Sequence, residues 1–250
     1  MNRLMWYGFL AVVVLGVVES GPVEAGIVLT ANVAGSQSSL VAKVTTENFD
    51  SFKTGIKTSL TTAVGSISSP GLAIDAADQY GGAGGTGNFI VVGAQSGQTS
   101  MTLTLNGAQA YFGFWWSAAD SLNKIQFYSS DQLIGTFDSA MASGALGSGY
   151  LGNPNNGQDS SEKFAYLNFF GSNGTTFDKI VFSNASTGTG FESDNWSVLA
   201  TAVTPQYPGN PISGFTAVPE PSSMILCLSG LVAIVGVRRR LTSPSSPGLP

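Results

Sequence analysis

The stretch MTLTLNGAQAYFGFWWSAAD, residues 101–120, carries the pattern that decides the fold. In its first half apolar side chains alternate with threonines, and the apolar face comprises Met101, Leu103 and Leu105. In its second half one face comprises Phe112, Phe114 and Trp116, and the other comprises Tyr111 and Trp115. A period of two residues belongs to a β-strand, whose successive side chains point to opposite faces of a sheet. The stretch therefore predicts β-strands.

The same alternation recurs along the chain, interrupted at short intervals by Gly, Asn, Asp or Ser. The segments are NKIQFYSS (123–130), FAYLNFF (164–170), FDKIVFSN (177–184) and GFESDNWSVLA (190–200). Alternating segments separated by regular turn residues are typical of an antiparallel β-sandwich or jelly roll. We expect an all-β domain over residues 26–204. Helical turns are expected only in SSLVAKVTTENFDSF (38–52) and SAADSLNKI (117–125).

Charge and composition exclude several classes of function. Between Gly26 and Val218 the chain has six lysines, no arginine and twelve acidic residues, a net charge of about −6. Such a segment lacks the basic face that a nucleic-acid-binding protein needs. The chain contains no histidine, which excludes Ser-His-Asp and Cys-His nucleophile pairs and every His-ligated metal site. The single cysteine, Cys227, excludes an intramolecular disulfide and is expected to be a small apolar residue, with lipidation as the alternative.

The N-terminus has the three parts of a secretory signal peptide. Arg3 precedes an uncharged run over residues 4–18, and the small-x-small ending of VEA stops at Ala25. We expect signal peptidase to cleave between Ala25 and Gly26, with cleavage after Ser20 as an alternative. A retained membrane anchor is the other alternative, although the run is short for a hydrocarbon core of about 30 Å.

The C-terminal region predicts a single transmembrane helix. No residue from Pro221 to Val237 is charged, and these 17 positions rise about 25 Å as a helix. Arg238, Arg239 and Arg240 follow directly and would stay cytoplasmic, which places the preceding domain outside. Residues 205–217, rich in proline and glycine, are expected to form an extended spacer, and residues 241–250 a disordered tail.

The sequence Val218-Pro219-Glu220-Pro221, the apolar run and the arginine triplet together resemble the PEP-CTERM sorting signal. The resemblance implies an exported protein of a Gram-negative bacterium that makes exopolysaccharide. It also implies cleavage near Pro-Glu-Pro by an exosortase, a membrane transpeptidase-like protease. The precursor would be tethered to the inner membrane, and the product would reach the cell surface or extracellular matrix. The tail LTSPSSPGLP after Arg240 departs from the pattern, since such proteins usually end near the basic cluster.

The middle of the chain is similar to a family of exosortase-dependent surface proteins of cyanobacteria and related bacteria. The matching segments are TTENFDSF (45–52), YGGAGGTGNF (80–89), YFGFWWSAAD (111–120), IQFYSSDQLIGTF (125–137) and GFESDNWSV (190–198). This similarity implies a jelly-roll-like β-domain and brings no biochemical activity with it. Taken alone, YGGAGGTGNF lacks the lysine and following helix of a phosphate-binding loop and predicts a flexible loop or hairpin.

Three carboxylates form a candidate calcium site. TTENFDSF and FESDNWSV should lie on neighbouring edge strands, and similar first and last strands hold a structural Ca²⁺ ion in jelly-roll carbohydrate-binding modules. That would bring Glu47, Asp50 and Asp194 together, and their hard oxygen atoms suit a structural Ca²⁺ ion. The alternative is that these side chains lie at the surface or stabilise turns, with Asp50 and Asn195 capping turns through hydrogen bonds.

Trp115 and Trp116 form a candidate ligand-binding site. They point to opposite faces of a strand, so one belongs to the core and the other could present a flat platform to a sugar ring. The alternative is that both are buried, between the sheet and a covering loop.

The expected function is that of a non-catalytic surface or matrix component associated with exopolysaccharide. A carbohydrate-binding module is the first alternative. A glycoside-type hydrolase is the second, although no pair of carboxylates stands out for it.

Overall fold

The structure is a computed structural model that describes residues 26–203, 212 and 216–217. These residues form thirteen strands, one short α-helix, α1 (Ser139–Ala145), and two 3₁₀ turns. The strands are β1 (Gly26–Ala31), β2 (Thr45–Glu47), β3 (Gly55–Thr61), β4 (Gly65–Ala76), β5 (Asn88–Gly93), β6 (Ser100–Gln109), β7 (Tyr111–Ser117), β8 (Asn123–Ser129), β9 (Gln132–Asp138), β10 (Ala165–Ser172), β11 (Phe177–Asn184), β12 (Gly190–Leu199) and β13 (Thr216–Ala217). The all-β prediction is confirmed.

All strands belong to one antiparallel, nearly closed sheet. The order of its strands is β1-β10-β7-β12-β5-β4-β6-β11-β8-β9-β13, with β2 paired to β12 and β3 to β4. The long strand β4 connects the two halves: residues 73–76 pair with β5, and residues 65–68 pair with β6. Pro70 and Gly71 lie between these two segments, where the strand changes neighbours.

The inner faces of the two halves pack on each other through aromatic rings. Phe182 of β11 contacts Phe112 and Phe114 of β7 edge to face, with ring centroids 6.0 and 5.8 Å apart. Phe182 also stacks on Trp196 of β12, at 4.6 Å between centroids. β7 and β12 belong to one half and β11 to the other, so these contacts are those of a two-layer sandwich. The two faces that the alternation defined, Met101 with Leu103 and Leu105 and Phe112 with Phe114 and Trp116, both belong to this core.

Neither of the two segments that were predicted to contain helical turns is helical in the structure. Residues 38–52 form turns and β2, because the free edge of β12 offers hydrogen-bond partners to residues 45–47. Residues 117–125 comprise the end of β7, a turn over residues 118–122 and the start of β8. The helix α1 instead follows β9, where the side chain of Asp138 caps it by accepting a 3.0 Å hydrogen bond from the amide of Ala140.

Ile212, Thr216 and Ala217 lie at the seam between the two edge strands β1 and β9. The amide of Ile212 donates a 3.1 Å hydrogen bond to the carbonyl of Leu29 in β1, and Ile212 is buried in the core. Thr216 and Ala217 pair with β9 as the strand β13. The expectation of an extended spacer over residues 205–217 is therefore wrong at these three positions, and the rest of that range lies outside the described residues. Two unpaired strand edges provide backbone partners that favour docking over extension.

The predicted signal peptide (1–25), transmembrane helix and tail lie outside the described residues. Gly26, on the C-terminal side of the predicted cleavage, begins β1. Within residues 26–203, 212 and 216–217, helices are too short or too polar to cross a membrane.

Candidate functional site

The predicted meeting of the two acidic segments is seen in the structure. β2 pairs antiparallel with β12, and Glu47 stands opposite Trp196. Both oxygen atoms of the Glu47 carboxylate nevertheless accept hydrogen bonds from backbone amides. Its Oε1 accepts a 2.8 Å hydrogen bond from the amide of Phe49, and its Oε2 accepts a 3.0 Å bond from the amide of Ala63. Glu47 therefore ties the turn after β2 to the turn that joins β3 and β4.

Asp50 and Asp194 hold the glycine-rich loop between β4 and β5 at two points. Asp50 Oδ1 accepts a 2.8 Å hydrogen bond from the amide of Asn88, at the end of the loop. Asp194 Oδ2 accepts a 2.8 Å bond from the amide of Ala83, near its middle. Gly87 allows the first contact, because its φ is +76° and a Cβ there would lie 1.9 Å from Asp50 Oδ1.

These contacts correct the calcium prediction. Glu47, Asp50 and Asp194 bond to backbone amides of three different segments. In the part of the chain that the structure describes, no three His, Cys, Asp or Glu side chains are arranged to hold a metal ion. The alternative interpretation, in which the acids stabilise turns, describes their observed contacts.

Asp194 is nonetheless an unusual carboxyl group. Burial raises its pKa from the ordinary 3.8 to about 7, and the charges of Asp50 and Glu47 add to the increase. Hydrogen bonds from the amides of Ala83 and Asn195 act in the opposite direction without compensating. A buried carboxyl of this kind is protonated over part of the neutral pH range, which affects stability.

Both tryptophans of the predicted sugar platform are fully buried, with 0% exposure. Trp116 lies in the core between the layers, where its indole N–H donates a 2.8 Å hydrogen bond to Asn123 Oδ1. Trp115 lies on the outer face of β7 and packs with Phe164 and with Ala83 of the glycine-rich loop. The expectation of an exposed platform is therefore wrong, because a loop covers this outer face. The alternative, in which both indoles are buried, is the one observed.

The outer face of β12 contains a cavity that the sequence did not reveal. It has a volume of about 260 Å³ and lies where β12 begins, beside the loops that precede β8 and β10. Its polar lining is supplied by Gln95, Asp120, Glu162, Thr189 and Glu192, and Tyr80 adds an aromatic ring. Ala118 also lines it and packs in the same cluster as Trp115, so that tryptophan supports a wall of the cavity.

Glu192 is the most buried acid in this lining, with an exposure of 3%. Its Oε1 accepts a 3.2 Å hydrogen bond from the side-chain amide of Gln95. Its Oε2 is buried and has no partner in the structure. Burial raises the pKa of Glu192 well above its ordinary value, and the charge of Asp120 raises it further. A buried polar atom without a partner is costly, and it marks a position where a ligand could supply a hydrogen bond.

Two further acids face the same cavity. Burial, and then contact with Asp159, raises the pKa of Glu162 to about 8. Burial also raises the pKa of Asp120, although Asp120 Oδ2 accepts a 3.1 Å hydrogen bond from the amide of Gly190. No lysine lines the cavity, and the amino group of Lys163 instead donates to carbonyl oxygens of the segment 146–147. The cavity therefore brings three carboxyl groups together without a basic side chain from its described lining, and their raised pKa values keep part of that set protonated at neutral pH.

One sequence feature could have pointed to this cavity. Glu192 and Asp194 are two residues apart in a strand, so they share a face, and β7 places Trp115 and Ser117 on that same face by pairing. Two acids and a tryptophan on one face of adjacent central strands indicate a covered polar layer rather than a solvated surface. The loops that complete the cavity have no comparable pattern.

Comparison with known proteins identifies the C-terminal region. Residues 217–240 match the family model of the PEP-CTERM protein-sorting motif, a range that includes Val218-Pro219-Glu220-Pro221 and Arg238 to Arg240. No curated protein and no solved structure matches the chain. The sorting motif implies an exported protein that passes through a membrane-associated precursor stage. More particularly, the motif marks the chain as a PEP-CTERM domain-containing protein and implies an exosortase as its processing partner. The resemblance of residues 45–198 to a family of surface proteins stays a prediction.

Proposed function

We propose that this protein is a non-catalytic component of the cell surface or extracellular matrix that associates with exopolysaccharide. The sorting motif is the observation that carries the proposal, because it commits the chain to exosortase processing. The motif begins at residue 217, the last residue of β13, so the folded domain extends directly to the signal. Signal peptidase would remove residues 1–25 before this step, by cleavage between Ala25 and Gly26.

The sandwich supports a binding or structural role. Its core is dense in aromatic rings, and its outer face carries a cavity large enough for a small polar ligand. A carbohydrate-binding module remains the second candidate, since the polar lining and the ring of Tyr80 resemble the chemistry of sugar sites. The cavity replaces Trp115 and Trp116 as the place where such binding would occur.

The sorting step is tested by replacing Pro219, Glu220 and Pro221 together with alanine in the producing organism. We expect the full-length precursor to accumulate in the membrane, because the exosortase loses the motif that it recognises. Immunoblotting of membrane and surface fractions measures the outcome. The matched control replaces Pro205 and Pro208, which precede the motif, and should be processed normally. Normal processing of the motif variant would contradict this role of the motif.

The association with exopolysaccharide is tested with the processed protein and with exopolysaccharide purified from the producing organism. We expect the protein to co-sediment with the polysaccharide and to release no reducing ends during prolonged incubation. Failure to co-sediment would remove the proposed association. Release of reducing ends would show a hydrolase instead, and loss of that activity in one carboxylate variant would identify the catalytic acid.

A further inference from the structure

The acidic cavity on the outer face of β12 is chemically complementary to a positively charged hydrogen-bond donor. Its lining includes Asp120, Glu162 and Glu192. Asp159, which is not part of the lining, interacts with Glu162. Asp120 raises the pKa of both Glu162 and Glu192, and Asp159 raises the pKa of Glu162. These charges are therefore mutually unfavourable, and a cation bound among them would favour their ionised forms. The buried Oε2 of Glu192 lacks a partner, so the position with the greatest need for a donor lies in the cavity wall.

An ammonium group meets this need better than a bare metal ion. A metal ion requires several ligand atoms at closely fixed distances, and no three acidic side chains in the described chain have that arrangement. An ammonium group carries three N–H donors, which can reach separate carboxylates over longer distances. Charge-assisted hydrogen bonds to carboxylates are also about twice as strong as neutral ones.

The remaining lining indicates what carries the ammonium group. The volume of about 260 Å³ is below the ~300 Å³ lower limit of pockets for drug-sized molecules, so the cavity suits one small ring. Gln95 and Thr189 offer amide and hydroxyl groups that can exchange hydrogen bonds with ring hydroxyls. The ring of Tyr80 is 37% exposed and offers an aromatic face to C–H groups or to the cation itself.

We propose that this cavity binds an amino sugar through its protonated amine, with Glu192 and Glu162 as the principal partners and Asp120 supporting them. This inference rests on the proposed association with polysaccharide and specifies the unit that is recognised, a hexosamine without an N-acetyl group. Uronic acids are disfavoured because they bring a further carboxylate in place of the amine. N-acetylation weakens binding because it removes the positive charge and two N–H donors.

The test is calorimetric titration of the full-length protein in detergent at pH 7 with four probes: glucosamine, N-acetylglucosamine, glucose and methylamine. Glucosamine is expected to bind at least about tenfold more tightly than each of the other three, since each lacks either the charge or the ring. Equal binding of glucose would overturn the role of the amine. Equal binding of methylamine would overturn the role of the sugar ring.

Two variants locate the site. Glu192→Gln and Glu162→Gln are each expected to weaken glucosamine binding at least about tenfold, while keeping the size of the side chain. Asp131→Asn is the matched control, since it removes one carboxylate at the β8–β9 turn, outside the cavity, and should bind like the unaltered protein. Near-ultraviolet circular dichroism confirms folding. Unchanged binding by both glutamine variants would overturn the assignment, as would calcium binding that Glu192→Gln abolishes.

The outcome separates this inference from the proposed function. If the protein co-sediments with exopolysaccharide but does not bind glucosamine, the amino-sugar assignment fails and the association stands. If glucosamine binds through Glu192 while co-sedimentation fails, the cavity is established and the association with that polysaccharide falls.

Discussion

The unfolding free energy of this domain should fall as the pH rises from about 4 to 8, and Asp194 should cause much of the fall. Its pKa is about 7 in the folded state and 3.8 when it is fully solvated. Between these two values the folded state holds a proton that the unfolded state has released. Stability is therefore fully present below the unfolded value and is lost as the pH rises through the folded value.

The size of the effect follows from the two pKa values. A pKa difference between 3.8 and about 7 corresponds to roughly 4 kcal/mol of unfolding free energy over the whole window. Glu162 and Glu192 act in the same direction, because burial raises the pKa of both. Asp194→Asn removes the titration but keeps an oxygen that can accept from the amide of Ala83. We expect this variant to lose less stability between pH 4 and 8 than the unaltered protein.

Urea unfolding followed by tryptophan fluorescence at pH 4.5, 6 and 8 measures this difference. Asp131→Asn is the control, since Asp131 is exposed and its pKa is lowered by Lys179. The control should keep the fall in stability with rising pH. Stability that stays constant or rises from pH 4.5 to 8 would refute the reasoning. An undiminished fall in Asp194→Asn would show that other groups cause it.

Three other substitutions test the packing. Trp116→Ala should cost about 3–5 kcal/mol in urea unfolding, because it opens a core cavity and removes the donor to Asn123; a cost below 1 kcal/mol would contradict its core position. Gly87→Ala should lower Tm and cost about 1–3 kcal/mol, since φ is +76° and the new Cβ would strike Asp50; an unchanged Tm would contradict this geometry. Ile212→Ala should lower the free energy of unfolding by about 2–5 kcal/mol and speed proteolysis of the residues after β12. Unchanged proteolysis would show that the contact of Ile212 at the seam is dispensable.

The strand pattern and the core could be predicted because they depend on local alternation. Phe112, Phe114 and Trp116 share a face in any regular strand, and the structure buries that face between two layers. Alternation also placed Trp115 on the opposite face. It could not show whether that face is open to solvent, because the covering residue Ala83 lies far away in sequence and has no pattern of its own.

The candidate sites show the same division. The meeting of Glu47 with β12 was predictable, since first and last strands are neighbours in jelly rolls, and β2 does pair with β12. The direction of each carboxylate depends on which backbone amides have no hydrogen-bond partner within the sheet. The packing of the loops decides which amides these are. The cavity at Glu192 depends on five loops at once, which explains why no single segment predicted it.

The short strand β13 has a mechanical consequence for a protein held by its C-terminal end. Thr216 and Ala217 form only two residue pairs with β9, and the sorting motif starts at this point. A pull transmitted from the membrane or from a later attachment reaches this pairing before it reaches any long strand. We expect the pairing of β13 with β9 to break first and to release Ile212 from the seam. The longer strands of the sandwich would then stay paired.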